Sequence, residues 1–459
     1  MNLVAGPAAP SAPAATAGLS PVRADLAQLL KLSGPVVLAR LGIMTMGLMD
    51  AIVVGRYSAE HLGFHAMAWA PTSVVLTMAI GLLTGVQVMT ARAVGEGRSN
   101  ESGAVLRRGL VYGLWIGLAS TVVLAGLGPL GLAHLGLEPS LASGAAWPVV
   151  VFALSLPAYV ISCAASFWLE GLSRPVPAML LMWAANAVNL AFLLLLVPGA
   201  FGLPALGATG AAWATFGARA FLMIGLLVYI ALMRDARALG VFAKPVRDRP
   251  AEAEQRKIGY GAGASNFFEV AAFASLNVVA GWIGVLALAA WTVVLNVVSL
   301  VFMVPLGLAA ATAVLVSSAY GAREREGVVR AGLIGFGVTA LFGVVVSLIV
   351  WPAAPWIAAA YTTEPQVIVV AAGALALSCL FLLADGLQVV IAQALRARGD
   401  VWLPTFTHLT SYILIMMPLA WWLAIPMGMG VTGLVWAVII ASLISAGLLS
   451  WRFWRLSLQ

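Results

Sequence analysis

Long apolar runs alternate with short polar connections along almost the whole chain. Apolar runs of about 20 residues recur from Leu26 to Trp454, and ~20 helical residues span a hydrocarbon core of ~30 Å. Inside lipid every backbone amide needs an internal partner, so such runs form helices or barrel strands. Runs such as 190–197 and 344–350 lack the alternation of barrel strands. The pattern therefore predicts twelve transmembrane helices, with ends set to within several residues, at 28–55, 64–93, 107–131, 145–170, 176–198, 208–233, 258–282, 288–320, 331–355, 367–396, 403–425 and 432–452.

The connections between these helices alternate sharply in charge. The basic set lies at 95–108, 169–175, 234–257, 321–330 and 395–400. The other set lies at 131–140, 198–204, 282–288, 361–366 and 424–430; it contains no lysine or arginine, and only Arg56 stands on that side. Because basic loops stay on the cytoplasmic side, we expect the basic set and both termini in the cytoplasm. Together with a bias toward arginine over lysine, this suggests a multi-pass protein of a bacterial inner membrane.

The second half of the chain repeats the first. Three pairs of landmarks are separated by one constant offset, since 281 − 55, 321 − 95 and 395 − 169 all equal 226. The pairs are Gly55 with Gly281, Gly95 with Gly321 and Leu169 with Leu395. Such a repeat spans six helices, and because six is even both copies start from the same side of the membrane. We therefore expect an all-α integral membrane protein of two parallel six-helix repeats. The N-lobe would occupy 26–233, a cytoplasmic linker 234–257 and the C-lobe 258–459.

The composition excludes soluble classes of protein. Hydrophobic residues make up 62% of the chain and charged residues 9%, whereas a soluble domain carries roughly 25% charged residues. The formal net charge of +7 comes from the basic loops, which meet anionic headgroups, so lipids rather than nucleic acid are the expected partner. Residues 1–25, rich in Ala and Pro, lack the pattern of a signal peptide and are predicted to be a disordered tail. Cys163 and Cys379 lie within apolar runs and are interpreted as packing residues.

Two similar halves are typical of a secondary transporter, in which the halves rock about a midplane cavity. No GxxxxGK[ST] pattern is present, so we expect no nucleotide, no other cofactor and no direct use of ATP. An ion gradient or the gradient of the substrate must supply the energy. A membrane enzyme or receptor is disfavoured, because the sequence contains no HExxH motif and its four histidines are scattered.

Three acidic residues lie inside predicted helices and are the candidate ion-coupling and substrate-binding residues. Asp50 lies in helix 1, Glu269 in helix 7 and Asp385 in helix 10. An ionised carboxylate at the bilayer centre costs ~2.5–3.5 kcal/mol on insertion scales. Each carboxylate could instead snorkel to the interface or pair with an arginine, and Arg40 or Arg219 could pair with Asp50.

These carboxylates do not follow the internal repeat. When the sequence is shifted by the repeat offset, Asp385 falls opposite Tyr159, Glu269 opposite Ile43 and Asp50 opposite Leu276. Scaffold residues repeat because folding needs them twice, so residues that break the repeat are better candidates for function. A buried carboxylate can load and release a proton, or it can join other oxygens as a ligand for Na⁺. The sequence leaves both choices open, and no metal site is certain.

Polar residues near these carboxylates are candidate supporting groups. Gln388 lies one turn from Asp385, Ser265 and Asn266 lie one turn from Glu269, and Asn296 lies in helix 8. Asn186 and Asn189 form a polar pair in helix 5, which is costly in lipid unless it faces a cavity or a partner helix. Methionine and aromatic residues in the same helices favour a lipophilic cation as the substrate; they are Met44, Met46, Met49, Met67, Trp69, Phe267, Phe268, Phe273, Trp291 and Phe381.

Six motifs in order resemble the multidrug and toxic compound extrusion (MATE) family, and the resemblance covers nearly the whole chain after the tail. They are GLMDAIVVGRYSAEHLG from Gly47, GEGR from Gly95, LEGLSRPVPAML from Leu169 with the later GLPALGATGAAWAT, FFEVAAFASLNVVAGWIG from Phe267, LNVVSLVFMVPLGLAAATAVLVSSAYGA from Leu295 and ADGLQVVIAQALRARGD from Ala384.

The resemblance implies two six-helix lobes in a V shape and an antiporter that exports cationic drugs in exchange for Na⁺ or H⁺. In the NorM-like branch the helix 1 aspartate, helix 7 glutamate and helix 10 aspartate are functional, and Asp50, Glu269 and Asp385 match them. Some members carry a tyrosine one turn before the helix 10 aspartate, where this chain has Phe381. A sodium site of that design therefore lacks one hydroxyl ligand here.

The first hypothesis is accordingly an ion-coupled exporter of lipophilic cations that works by alternating access and as a monomer, and is not an enzyme. The alternative is a flippase for a lipid-linked precursor, which would need a cationic central cavity for phosphates. In the predicted cavity, acids outnumber bases, which disfavours the flippase.

Overall fold

The computed structural model describes residues 20–134 and 139–458, and within them twelve helices are long and apolar enough to cross a membrane. The N-terminal six are α1 (Pro21–Tyr57), α2 (Ala59–Gly95), α3 (Ser102–His134), α4 (Pro139–Leu154 and Leu156–Gly171), α5 (Val176–Leu196) and α6 (Gly207–Leu232). The C-terminal six are α7 (Arg249–Ile283), α8 (Val285–Gly321), α9 (Arg325–Tyr361), α10 (Pro365–Ala397), α11 (Trp402–Ala424) and α12 (Val431–Leu458). The prediction of an all-α membrane protein with twelve transmembrane helices is confirmed.

Several helices extend beyond their predicted ends. Helix α1 begins at Pro21, inside the stretch assigned to the tail, because proline is well tolerated in the first turn of a helix; the tail up to residue 19 lies outside the described residues. Helix α7 begins at Arg249 rather than at 258, since the Asp248 carboxylate accepts a hydrogen bond from the Ala251 amide and caps the helix. The connection between the two lobes is therefore shorter than the expected linker of 234–257.

The internal repeat extends to the ends of the helices. Helices α2 and α8 are separated by the repeat offset at both ends (285 − 59 and 321 − 95), and α4 and α10 are separated in the same way (365 − 139 and 397 − 171). The turns that follow these helices also match. Gly97 and its repeat equivalent Arg323 both have positive φ, and so do Ser173 and its equivalent Gly399. Two parallel six-helix repeats therefore underlie the fold.

The two lobes meet where α2 packs against α7 and α8 with almost no side chain between the backbones. A Cβ atom on Gly85 would lie 2.0 Å from the Gln255 carbonyl oxygen, and one on Gly81 would lie 2.6 Å from the Gly263 Cα atom. On the α7 side, a Cβ atom on Gly259 would lie 2.1 Å from the Leu82 carbonyl oxygen. Small residues of this kind let helix backbones approach closely in a membrane. We call this α2–α7–α8 contact the glycine seam.

The glycine seam follows the twofold symmetry of the repeat. Gly95 lies against the Ser318 carbonyl, and its repeat equivalent Gly321 lies against the Arg92 carbonyl. Arg92 and Ser318 are themselves repeat equivalents, because 318 − 92 gives the same offset. Each lobe therefore offers the same glycine and the same carbonyl to the other, as expected for two parallel repeats around an axis along the membrane normal.

Contacts between the lobes concentrate toward the side that holds the start of α1 and the end of α12, here called the terminal side. Asp25 pairs with Arg330 at 2.5 Å, and Arg92 pairs with Glu254 at 3.6 Å and donates to the Ala397 carbonyl. The opposite, distal, halves of the helices pack within their own lobes. The Trp69 ring contacts Phe152, and the Phe273 ring contacts Tyr412. The lobes thus join at the terminal side and diverge toward the distal side as the arms of a V.

The glycine seam predicts the cost of adding one methyl group. Gly85→Ala would press a Cβ atom onto a backbone carbonyl, and overpacking of this kind costs about 1–3 kcal/mol, so its midpoint of thermal unfolding should fall. Gly126→Ala in α3 is the matched control, because nothing lies within 4 Å of its Cβ position, and alanine favours a helix over glycine. Thermal melts of the purified variants in detergent measure the difference. Equal midpoints for both variants would contradict the close approach of α2 and α7.

Candidate functional site

Asp50 is the centre of a hydrogen-bonded cluster inside the N-lobe. Its side chain in α1 is fully buried, at 0% exposure. The Asn189 Nδ2 atom of α5 donates to Oδ1 at 2.7 Å, and the Thr215 Oγ1 atom of α6 donates to Oδ2 at 2.6 Å. Each carboxylate oxygen therefore has a neutral donor, which offsets part of the cost of removing the charge from water.

Neither arginine proposed as a partner of Asp50 forms an ion pair with it. Arg40 pairs instead with Glu170, with 3.6 Å between its Nη2 atom and the carboxylate. Arg219, one turn after Thr215, donates to the Ser155 hydroxyl at 2.6 Å, and its guanidinium lies over the ring of Tyr159 at 4.9 Å. Arg219 remains an electrostatic neighbour of Asp50. The Asp50 carboxylate is thus held by neutral donors with a buried cation nearby.

Asp385 is the centre of a second cluster, inside the C-lobe. It lies in α10 with 3% of its surface exposed. Its Oδ1 atom accepts hydrogen bonds from the Tyr412 hydroxyl at 3.0 Å and from the Ser442 hydroxyl at 3.2 Å. Tyr412 lies in the middle segment of α11, where Leu409–Met416 winds as a π-helix. Such segments are rare in ordinary helices and frequent at functional sites.

Glu269 and Arg396 are the charged neighbours of this second cluster. Glu269, in α7, is half-buried and makes no hydrogen bond or ion pair within residues 20–134 and 139–458. Asp385 and Arg396 both act on it electrostatically. Arg396, at the end of α10, is buried and donates to the Ser265 hydroxyl at 2.7 Å. Arg396 falls where the predicted helix 367–396 overlaps the basic connection 395–400, and the prediction counted it with the connection; in the structure it lies within α10, which ends at Ala397.

Arg396 also shows that the lobes carry opposite charges at one equivalent position. Its repeat equivalent is Glu170 (396 − 170 = 226), and both side chains are buried. Glu170 pairs with Arg40 and accepts a hydrogen bond from the Gln87 amide at 2.6 Å. The same scaffold position therefore holds an anion in the N-lobe and a cation in the C-lobe.

Of the supporting residues predicted from the sequence, two lie beside a buried aspartate and two do not. Asn189 contacts Asp50, whereas the Nδ2 atom of Asn186 donates to the Gly42 carbonyl at 3.0 Å and so joins α5 to α1. Gln388 is fully buried one turn from Asp385. Asn296 lies apart from both clusters, because it is exposed and donates to the Thr292 carbonyl of its own helix.

The aromatic and methionine residues that the sequence assigned to the substrate differ in how deeply they are buried. Phe381, Trp291 and Met46 are buried in the apolar cores of their lobes. Phe268 is half-buried and packs edge-on against Phe267, with 6.1 Å between ring centroids. Buried core side chains hold the lobes together, so Phe381, Trp291 and Met46 are packing residues in this conformation.

Three donors that complete the two clusters, Thr215, Tyr412 and Ser442, are not among the residues predicted from the sequence. Thr215 was overlooked because a threonine in an apolar helix is common and often bonds its own backbone. Tyr412 and Ser442 were overlooked because their approach to Asp385 depends on how α11 and α12 pack against α10. Tyr412 supplies a hydroxyl near Asp385 that Phe381 lacks, so the proposed loss of a hydroxyl ligand is offset from another helix.

Both clusters can hold a carboxyl group in either protonation state. A threonine, serine or tyrosine hydroxyl can donate to a carboxylate and, after rotation, accept from a carboxylic acid. The Oδ1 atom of Asn189 is buried without a hydrogen-bond partner among the described residues, so its amide can also turn to accept. Rotations of these side chains can therefore accommodate a carboxyl group at Asp50 or Asp385 in either protonation state.

Comparisons with known proteins agree with this architecture. The MatE family model matches the chain twice, at residues 35–195 and 262–422. The chain is 59% identical to the "Probable multidrug resistance protein NorM" of Caulobacter vibrioides, over 95% of this chain and 93% of that protein. It is 29% identical to the "Multidrug resistance protein PmpM" of Pseudomonas aeruginosa, over 89% of this chain and 84% of that protein.

Solved structures share the fold. The structure titled "Outward-facing conformation of a multidrug resistance MATE family transporter of the MOP superfamily" superposes with a TM-score of 0.88 at 19% identity, over 95% of this chain and 96% of that one. The structure titled "Crystal structure of MATE in the bent conformation" gives a TM-score of 0.87 at 20% identity, over 95% and 97%. The two lobes, the doubled family match and the high identity to a NorM protein together place this chain in the MATE family, in its NorM-like branch.

Proposed function

We propose that this protein is a multidrug exporter that moves lipophilic cations out of the cell in exchange for a coupling cation, by alternating access. The similarity to proteins called multidrug resistance proteins NorM and PmpM supports drug export. The observation that carries the coupling mechanism is the Asp50 cluster, a fully buried carboxylate with a neutral donor on each oxygen. Such a group can change its charge at small structural cost, which coupling requires.

We further propose that the coupling ion is a proton rather than Na⁺. A sodium ion in the C-lobe would need the oxygens of Glu269 and Asp385 together. The buried guanidinium of Arg396 already supplies a fixed positive charge beside Glu269, which disfavours a second cation. A proton bound to Asp385 or Asp50 neutralises a carboxylate and requires no cage of ligands.

The substrate site in this proposal lies in the cleft between the lobes. The lobes diverge toward the distal side, and the carboxylates lie inside the walls of the V rather than at the glycine seam. A lipophilic cation entering the cleft would be attracted by ionised Asp50 or Asp385 and would leave when the carboxylate takes up a proton. Competition between substrate and proton for one charge gives antiport.

The orientation follows from the charge of the connections. The terminal side carries the arginine-rich segments, so we propose that it faces the cytoplasm of a bacterial inner membrane and that both termini lie there. The cleft then faces outward in this conformation. We propose a monomer as the functional unit, because each lobe completes its own cluster from residues of one chain.

A flippase for a lipid-linked precursor remains the alternative function. The structure weakens one argument against it, because Arg219 and Arg396 are both buried and stand against the three acids Asp50, Glu269 and Asp385. Each arginine, however, points to groups of its own lobe. Arg219 contacts Ser155 and Tyr159, and Arg396 contacts Ser265. A cationic cavity for phosphates would need arginine side chains that face the cavity and are not engaged by groups of their own lobe. Drug export is therefore the better-supported function.

Proteoliposomes test the coupling ion directly. We expect efflux of a fluorescent lipophilic cation to be driven by an imposed pH gradient and not by an imposed Na⁺ gradient. Asp50→Asn and Asp385→Asn should each abolish the pH-driven efflux, because a side-chain amide does not gain or lose a proton near neutral pH. Glu364→Gln is the matched control; this glutamate is exposed in the connection before α10, and its variant should transport as the wild type does.

The opposite results have distinct meanings. Efflux driven by Na⁺ alone would overturn the proton proposal and retain drug export. Efflux under neither gradient, in protein shown to be folded, would overturn drug export and favour a lipid-linked substrate. Normal transport by both aspartate variants would exclude these carboxylates from coupling.

Asn189 and Asn186 allow a second test with a control one turn away on the same helix. Asn189→Ala removes a donor from the ionised Asp50 carboxylate, and a hydrogen bond to a charged group contributes about 1.5–3 kcal/mol. Asp50 should then keep its proton to higher pH, and the pH of half-maximal efflux should rise by about one unit. Asn186→Ala, which removes only hydrogen bonds to two backbone carbonyls, should leave that pH unchanged. Equal profiles for the two variants would contradict the role of Asn189.

A further inference from the structure

A basic pocket on the terminal side has no role in the transport mechanism proposed above. It lies between α3, the connection after α6 and the start of α7, with a cavity of about 490 Å³. Four arginines line it, namely Arg107, Arg108, Arg247 and Arg256, and Glu252 is the one acid of the lining. Asp248, which caps α7, and Glu101 also act electrostatically on Arg108, so the four arginines outnumber three carboxylates.

The arginines of this pocket are not neutralised by ion pairs. Within residues 20–134 and 139–458, none of the four forms an ion pair. Arg107 donates to the Gly240 and Val241 carbonyls, and Arg108 donates to the Gln255 amide oxygen at 3.2 Å. Neutral acceptors fix these side chains without cancelling their charge. Elsewhere on the terminal side arginines do pair with acids, as at Arg98, Arg174, Arg330 and Arg452.

The pocket continues into an exposed apolar surface on α3, one of the helices long and apolar enough to cross a membrane. Val111 and Trp115 of α3 line it, and Trp115 is 68% exposed. Trp115 lies eight residues beyond Arg107, which places it about 12 Å deeper along the helix. Tyr112 and Tyr260 flank the same region, with ring centroids 6.5 Å apart. Aromatic side chains at this depth are typical of the membrane–water interface.

We propose that this pocket binds the headgroup of an anionic phospholipid, with the phosphate among the four arginines and an acyl chain along Val111 and Trp115. Basic pockets between transmembrane helices on the cytoplasmic side are a known mode of lipid recognition. A free phosphate or a soluble anion would use the arginines but leave the apolar wall without a partner. The combination of an excess of positive charge with an exposed apolar wall fits an amphiphile of the membrane.

The bound lipid would stabilise the contact between α3 and α7 on the terminal side of the protein. Gln255, which accepts from Arg108, also donates to the Val105 carbonyl at 3.3 Å. The backbone carbonyl of Gln255 is the group that faces Gly85 across the glycine seam. A headgroup held between Arg108 and Arg256 would therefore link α3 to α7 beside the closed contact of the lobes.

Native mass spectrometry of delipidated protein in detergent tests the proposal. We expect phosphatidylglycerol to bind at least tenfold more tightly than phosphatidylcholine with the same acyl chains, in line with about a fivefold contribution per arginine. Arg247→Gln together with Arg256→Gln should weaken phosphatidylglycerol by about 30-fold. Arg234→Gln with Arg237→Gln is the matched control, since these exposed arginines lie in the same connection but outside the pocket; it should change the affinity little.

A second measurement locates the lipid and does not depend on the arginine variants. In vesicles of phosphatidylcholine with brominated phosphatidylglycerol, the fluorescence of Trp115, taken as wild type minus Trp115→Phe, should be quenched more than with brominated phosphatidylcholine at the same fraction. Equal quenching by both lipids, equal loss of binding in the two arginine pairs, or displacement of phosphatidylglycerol by millimolar inorganic phosphate would each overturn the proposal.

Discussion

The close approach of backbones along the glycine seam is the constraint on which the arrangement of the lobes depends. In lipid there is no hydrophobic force between helices, so association relies on close packing and on small residues that permit it. Gly81 and Gly85 allow α2 to touch α7, while Gly95 and Gly321 repeat one contact on both sides of the pseudo-twofold axis. Because this seam lies toward the terminal side, the distal halves of the lobes are left apart and a cleft forms between them.

Buried charge is organised within each lobe and independently of the seam. In a low dielectric a charged side chain needs nearby partners, and each lobe supplies its own. Asp50 is held by donors of α5 and α6, and Asp385 by donors of α11 and α12. Since neither set crosses the lobe boundary, a rigid movement of one lobe against the other would leave both clusters intact. The scaffold follows the repeat, whereas Glu170 and Arg396 show that the charges do not.

Irregular helix geometry brings hydroxyl groups to these charges. The π-helical segment of α11 presents Tyr412 to Asp385. In α4, the regular helix is interrupted at Ser155, whose hydroxyl accepts from Arg219 and donates to the Phe152 carbonyl. A straight helix would direct these positions differently, because the direction of a side chain is set by the winding of its turn. The departures from regular winding therefore coincide with the polar clusters of both lobes.

The sequence by itself determined the membrane class, the twelve helices and the twofold repeat, because hydrophobic length and a fixed offset are properties of the chain alone. It also indicated Asp50, Glu269 and Asp385 as candidate functional residues, since a carboxylate in an apolar run is conspicuous. Helix ends such as Arg249 and Tyr361 lie several residues beyond their predicted positions, because capping and tertiary contacts extend helices past the apolar run. The partners of each charge were decided only by the tertiary structure. Arg40 meets Glu170 rather than Asp50, and Tyr412 reaches Asp385 from another helix, because helix packing brings together side chains that no spacing in the sequence relates.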